Sequence, residues 1–254
     1  MNRRQRIAGG LLLSAGALGL AVAILPAFPQ PPAYHDFADQ RRGLGVPNLF
    51  NVISNLPFLL VAWLGWRVPP RPGDDRPGNL PYTLLFLALA ATGLGSAYYH
   101  LVPDNARLFW DRLPMSLGFA ALVTTVIAER RPLHGPWLLL TLVGSGLASL
   151  LWWRYSARLG MENLLPYLAF QAWSLLTLIW LPLLFPSRDT PYLIGAVLLY
   201  GVALGAGQLD RFIFSWGGLV SGHTLKHLVA ALALYQIVRL LRAAPRNGAD
   251  LKIS

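Results

Sequence analysis

SGHTLKHLVAALALYQIVRLL, residues 221–241, sets two histidines four apart at the head of an apolar run. An apolar segment of ~20 residues has the length that crosses a hydrocarbon core as a helix. His223 and His227 then lie on one face of that helix, one turn and about 6 Å apart. Ionisable groups are costly at membrane depth and mark function when they occur there. The stretch therefore poses two questions: whether the whole chain is a membrane protein, and what else meets the two imidazoles.

Composition answers the first. The 254 residues are 55% hydrophobic and 13% charged, against about 25% charged in ordinary soluble domains. Mean hydropathy is +0.48. Eight spanning segments can be placed, over roughly 7–27, 46–67, 80–101, 106–128, 134–153, 163–185, 191–209 and 218–243. The breaks between them are rich in Pro, Gly and charge. The expected fold is all-α, a polytopic membrane helix bundle. The domain reading is an N-terminal transmembrane helix over 1–30, read as an uncleaved signal anchor, a membrane domain over 31–245 and a cytoplasmic tail over 246–254.

There are no cysteines, so disulfides and thiolate metal ligands are excluded. The net charge of +10 comes from 21 Lys and Arg that sit mainly in short connections. No contiguous basic face is present, so nucleic acid is not an expected partner, and no obligate protein partner is indicated. With the N-terminus inside, thirteen of those basic residues fall on the inner side and eight on the outer. The positive-inside rule then places both termini in the cytoplasm. The compact loops suit a bacterial inner membrane, with the histidines of 221–227 near the periplasmic face.

Under this topology three segments bring polar residues to one leaflet. The third ends SAYYH, which carries Ser96 and His100, also four apart. The fourth begins NARLFWDR, which carries Asp111. The eighth begins with His223 and His227. Three neutral imidazoles with an open fourth position are the ligand set of catalytic zinc, which lowers the pKa of its bound water to near ~7. Asp111 is placed to accept a proton, and Ser96 to donate a hydrogen bond to a developing oxyanion. Blander roles exist for each: snorkelling of Lys226 beside the histidines, an interfacial Asp111–Arg112 pair, a Ser96 bond to its own helix. The convergence of five such residues at one depth favours the site. In NLFNVISN, residues 48–55, Asn48, Asn51, Ser54 and Asn55 form a polar stripe suited to bracing neighbouring helices. His35 and His134 read as solvated loop residues, and Trp152, Trp153 and Tyr155 as an aromatic belt. Tyr99 and Trp110 lie nearer the site, where they can line a lipid entrance.

Ser-x3-His, Asp eleven residues later and a C-terminal His-x3-His resemble the alkaline ceramidases, as does the Asn-x2-Ser-Asn of residues 51–55. These belong to a group of seven-helix membrane hydrolases that includes adiponectin-type receptors and a branch acting on glycosylphosphatidylinositol anchors. The resemblance spans roughly residues 34–240. It implies a seven-helix core, with the first segment an addition. It implies zinc held by His100, His223 and His227, Ser96 and Asp111 as catalytic residues beside the metal's water, and hydrolysis of the N-acyl amide of ceramide or a related lipid to a sphingoid base and a fatty acid. The family also carries a calcium site on Asp-Trp-x-Glu-x-Asn and a later Glu. Here the stretch reads DFADQR, so Asp36, Asp39 and Asn48 are the candidates for a second cation, calcium, with Phe37 for the Trp and Arg41 for the Asn. Asp39 paired with Arg41 or Arg42 is the cation-free alternative. Three other readings stay open: a receptor or sensor on the same scaffold, a lipid esterase of the same group, and a proton-relay transporter. Haem is disfavoured, because its axial ligands come from opposing helices.

Overall fold

A computed structural model describes residues 2–68, 79–131 and 136–243. His134 and the 246–254 tail lie outside the described residues. Eight helical segments among them are long and apolar enough to cross a membrane, so the chain is an integral membrane protein by construction. The first, α1 (Arg3–Ile24), starts with a capping box between Asn2 and Gln5. Ile7 is its one buried residue. It packs against α7 (Leu165–Leu184), where Trp173 Nε1 donates to Ser14 Oγ at 3.1 Å.

The expected second helix is broken in two. α2 (Leu49–Ile53) and α3 (Leu56–Trp66) are separated by Ser54 and Asn55. The polar stripe itself causes the break. Ser54 Oγ and Asn55 Nδ2 both donate to the Asn51 carbonyl, at 3.1 and 2.8 Å. Side chains thus take the acceptor that the helix ladder would use, and Pro57 starts the next helix where its missing N–H costs nothing.

The remaining helices are α4 (Asn79–Leu101), α5 (Asn105–Arg130), α6 (Trp137–Arg158), α8 (Thr190–Gln208), a short α9 (Asp210–Ser215) and α10 (Gly222–Ala243). Asp104 caps α5 by accepting from Arg107 N at 2.7 Å, which makes the α4–α5 turn tight. The glycine-rich end of α8 stays helical through Gln208. In cross-section α3, α4, α5, α7, α8 and α10 form a closed ring of neighbours. α6 lies outside, against α5 and α7, and α1 lies outside against α7.

Two glycines allow close backbone-to-backbone approaches in the ring. A Cβ on Gly95 would overlap the Trp110 carbonyl, and one on Gly222 would overlap the Ala206 carbonyl and crowd the Asp210 backbone. They precede Ser96 and His223 directly, so the tight contacts between α4 and α5, and between α8 and α10, fall where the candidate residues are.

The other end of the bundle is tied by an ion pair. Arg130 grips Asp189 with two bonds of 2.8 and 2.7 Å and donates to the Phe185 carbonyl at 2.9 Å. Its side chain is fully buried. Removing one partner of such a pair leaves a buried charge and costs about 3–5 kcal/mol, whereas replacing both by apolar residues is close to neutral. Arg130→Met is expected to lower the thermal midpoint of the detergent-solubilised protein sharply, and Arg130→Met with Asp189→Leu to recover most of the loss.

Candidate metal centre

His100 occupies the last turn of α4, and His223 and His227 the first two turns of α10. All three are buried, between 1% and 8% exposed. Their ring centroids form a nearly equilateral triangle with sides of 4.8, 4.9 and 4.7 Å. One nitrogen from each lies within 4.8 Å of the other two. His100 Nε2 and His223 Nε2 stand 3.3 Å apart. Two nitrogens ~2.05 Å from one tetrahedral zinc are separated by about 3.3 Å, so this edge already has zinc dimensions. Among the described residues no other group of three or more His, Cys, Asp or Glu gathers in this way.

The surrounding hydrogen bonds orient the ligands. Ser54 Oγ is 2.7 Å from His227 Nδ1 and donates its single proton to the Asn51 carbonyl. It therefore accepts from His227 Nδ1–H, which leaves the Nε2 lone pair for a metal. Asn48 Nδ2 donates to the His100 carbonyl at 2.8 Å and holds the end of α4. Asn51 Oδ1 accepts from Thr224 Oγ1 at 3.2 Å, and its Nδ2 donates to the Asp39 carbonyl at 3.0 Å. The polar stripe of residues 48–55 is thus the bracing framework expected of it. His100 Nδ1 is buried with no hydrogen-bond partner among the described residues.

The start of α10 is held by a residue of α9 that the sequence pattern does not reveal. Asp210 accepts from His223 N at 2.7 Å through one oxygen and from Ala38 N at 2.8 Å through the other. With Ser221 Oγ accepting from Thr224 N at 3.1 Å, it satisfies the orphan donors of the helix that carries two ligands. Asp210 and His223 are thirteen positions apart across loop and short helix, and no periodicity in the sequence marks that pairing.

The segment DFADQR crosses over this site. Phe37 packs on the His100 and His223 rings, with centroids at 4.7 and 4.4 Å. The three second-cation candidates are not brought together as a ligand set. Asp36 pairs with Arg211 and accepts from Gln40, Asp39 is gripped by Arg41 at 2.8 and 2.7 Å, and Asn48 serves the His100 carbonyl. Arg41 also donates to the carbonyls of Gly218 and Leu219 at 2.6 and 2.9 Å, between the rings of Phe50 and Phe214. The guanidinium therefore occupies the cationic position of this segment. Burial pushes the Asp39 carboxyl up, and the hydrogen bonds and charge of Arg41 more than offset it, so its pKa falls below the usual range. The clamp contributes stability above the ordinary carboxylate value of about 4 and loses it as pH drops through the lower folded value.

Ser96 and Asp111 are both buried and line the same cavity. Arg112 does not pair with Asp111. It lies buried among Tyr34, Trp153 and Tyr167 and donates to Gln30 Oε1 at 2.6 Å. Two loop and belt readings change. His35 is half-buried, with Nδ1 2.9 Å from the Tyr99 hydroxyl and Nε2 3.0 Å from Asn105 Oδ1. Trp153 is fully buried with Nε1 donating to Glu162, whereas Trp152 and Tyr155 face outward. Tyr99 is buried against His100, and Trp110 is exposed.

Ser96, Asp111, Lys226 and His227 line one end of a cavity of about 150 Å³ inside the ring. The rest of its wall is mainly aliphatic and aromatic, reaching Leu85, Leu122, Leu193 and Ile237. The chain matches no protein-family model and no curated protein.

Protein purified without chelator is expected to carry about one zinc per chain by mass spectrometry, the stoichiometry of a three-imidazole site. His223→Ala is expected to abolish it. Ser54→Ala is expected to weaken zinc binding about 10–100-fold in competition with a chromophoric chelator, the usual effect of losing an outer hydrogen bond to a ligand.

Proposed function

We propose that this protein is a zinc-dependent hydrolase of the N-acyl amide of a membrane lipid, ceramide or a close relative. The observation that carries the reading is the junction of a buried three-imidazole centre with a deep apolar cavity, with a carboxylate and a hydroxyl at the join. From Ser96 to Leu85 is eleven residues of α4, or ~16 Å at the helical rise. That is close to the depth of one hydrocarbon leaflet, ~15 Å, so the cavity has the length and polarity to take an acyl chain. The resemblance of the five site residues to the alkaline ceramidases supports the same substrate class.

His100, His223 and His227 are the residues that would hold zinc, and their donor set and spacing fit it. The ion supplies Lewis acidity and lowers the pKa of water at neutral pH. The protein's own groups account for the rest. The aliphatic wall binds and aligns the acyl chain, which brings its carbonyl to the polar end. The Asp111 carboxylate takes the proton that the attacking water loses and passes it to the departing amine nitrogen. Ser96, beside that carboxylate in the cavity wall, offers its one donor to the oxygen that becomes negative. Phe37, packed on two of the rings, keeps bulk water from that side. Lipid enters the cavity laterally from the bilayer, between helices of the ring. The Lys and Arg distribution supports cytoplasmic termini and a site facing the periplasmic side of a bacterial inner membrane.

Zinc-loaded protein is expected to release fatty acid from ceramide in mixed micelles. Asp111→Asn is expected to keep its zinc and lose about 10²–10⁴-fold in kcat, the usual contribution of a positioned general base. Full zinc occupancy with no fatty acid released from any N-acyl lipid would overturn the amidase reading. Release from ester lipids alone would then assign the esterase, and release from neither the receptor.

A further inference from the structure

Lys226 has no place in the zinc site or in the proton path. It stands in α10 between the two metal-binding histidines and lines the polar end of the cavity with Ser96, Asp111 and His227. Its stem is accommodated on purpose. Gly207 of α8 leaves the space, since a Cβ there would come within 3.0 Å of Lys226 Cδ. Among the described residues its ammonium makes no hydrogen bond and no ion pair.

The charges around it are few. Lys226 and Asp111 line the same end of the cavity, whereas Arg112, the next residue in the chain, does not. Lys226 and Asp111 do not form an ion pair among the described residues. Arg112 is boxed by three aromatic rings and turned to Gln30. The nearest other carboxylates in this end of the fold are committed: Asp210 to two backbone N–H groups, Asp39 to Arg41 and Asp36 to Arg211. An uncompensated ammonium at membrane depth is expensive. No described side chain pairs with it directly, so an anion arriving in the cavity would be its first bonded partner.

We infer that Lys226 is a specificity-determining residue that pairs with a negative charge on the amine half of the substrate. This deepens, and rests on, the hydrolase reading. The side of the scissile bond follows from depth. The acyl chain lies along the aliphatic wall towards Leu85 and Ile237, whereas Lys226 stands level with His227 and Asp111, where the carbonyl and the leaving amine must be. The preferred substrate is then an N-acyl lipid whose amine portion bears a carboxylate or a phosphate a few bonds from the amide, ahead of one whose head offers hydroxyls alone. Hydrolysis adds water across the C–N bond, and the anion leaves with the amine.

The test uses two lipids with the same acyl chain and leaving groups of similar size: N-palmitoylglycine, which is anionic, and N-palmitoylethanolamine, which is neutral. Zinc-loaded wild type is expected to favour the anionic lipid in kcat/KM by about tenfold or more, the scale on which one dedicated polar contact discriminates. Lys226→Met is expected to bring that ratio to about one at unchanged zinc content, and Lys226→Arg to keep the preference. A wild-type ratio near one, or a Lys226→Met variant that slows both lipids by the same factor, would overturn the inference and leave Lys226 as a packing residue against Gly207. If zinc is bound and neither lipid is cleaved, the hydrolase reading fails. Equilibrium binding by tryptophan fluorescence then decides the charge question. Tighter binding of N-palmitoylglycine that is lost in Lys226→Met upholds the anion contact, and equal binding of the two lipids removes it.

Discussion

A polar group inside a membrane bundle has little water to fall back on, so most donors and acceptors at the site take partners in the protein, His100 Nδ1 excepted. The bond from His227 Nδ1 to Ser54 Oγ shows how far that constraint reaches. To leave a hydroxyl lone pair for the imidazole, Ser54 spends its proton on the Asn51 carbonyl. Taking that carbonyl breaks the second spanning helix into α2 and α3. The break frees Asn51 and Asn48 to serve Asp39, Thr224 and the end of α4. One ligand's tautomer, the bend of a helix and the anchoring of the segment over the site form one connected set of hydrogen bonds.

The ring of six helices explains why the site and the cavity share a position. α3, α4, α5, α7, α8 and α10 enclose a space that none of them fills. Gly95 and Gly222 draw the ring tight at the end where the histidines meet. The Arg130–Asp189 pair secures the other end, and the apolar middle remains open. α1 and α6 pack outside this ring and contribute nothing to the lining.

What the sequence made legible was local and periodic. His-x3-His, Ser-x3-His and the asparagine spacing all follow from the helical repeat, and the three segments that carry them do meet at one end. What it hid was non-local. Asp210 reaches His223 N through a corner without periodicity. Arg41 finds its carbonyl partners nearly 180 positions along the chain. Phe37 contacts two imidazoles from a segment with no helix to orient it. His35 reads as solvated from its polar neighbours and Trp153 as belt from its place at a helix end, yet Tyr99 and Asn105 partner His35, and Trp153 is buried with Glu162 of the α6–α7 connection. The polar stripe was read correctly as a brace and incorrectly as part of one straight helix, since pattern alone does not show when a side chain captures a backbone acceptor.

The contact at Gly222 has a mechanical consequence. Backbone rests on backbone there, with α10 seated against the Ala206 carbonyl and the start of α9, and no flexible side chain lies between to absorb a shift. α8, which supplies the other half of that contact, is also a wall of the cavity. Outward displacement of that wall is therefore transmitted as a rigid lever to the residue after Gly222, which is His223. The wall of the apolar chamber and the seat of His223 thus share one backbone contact.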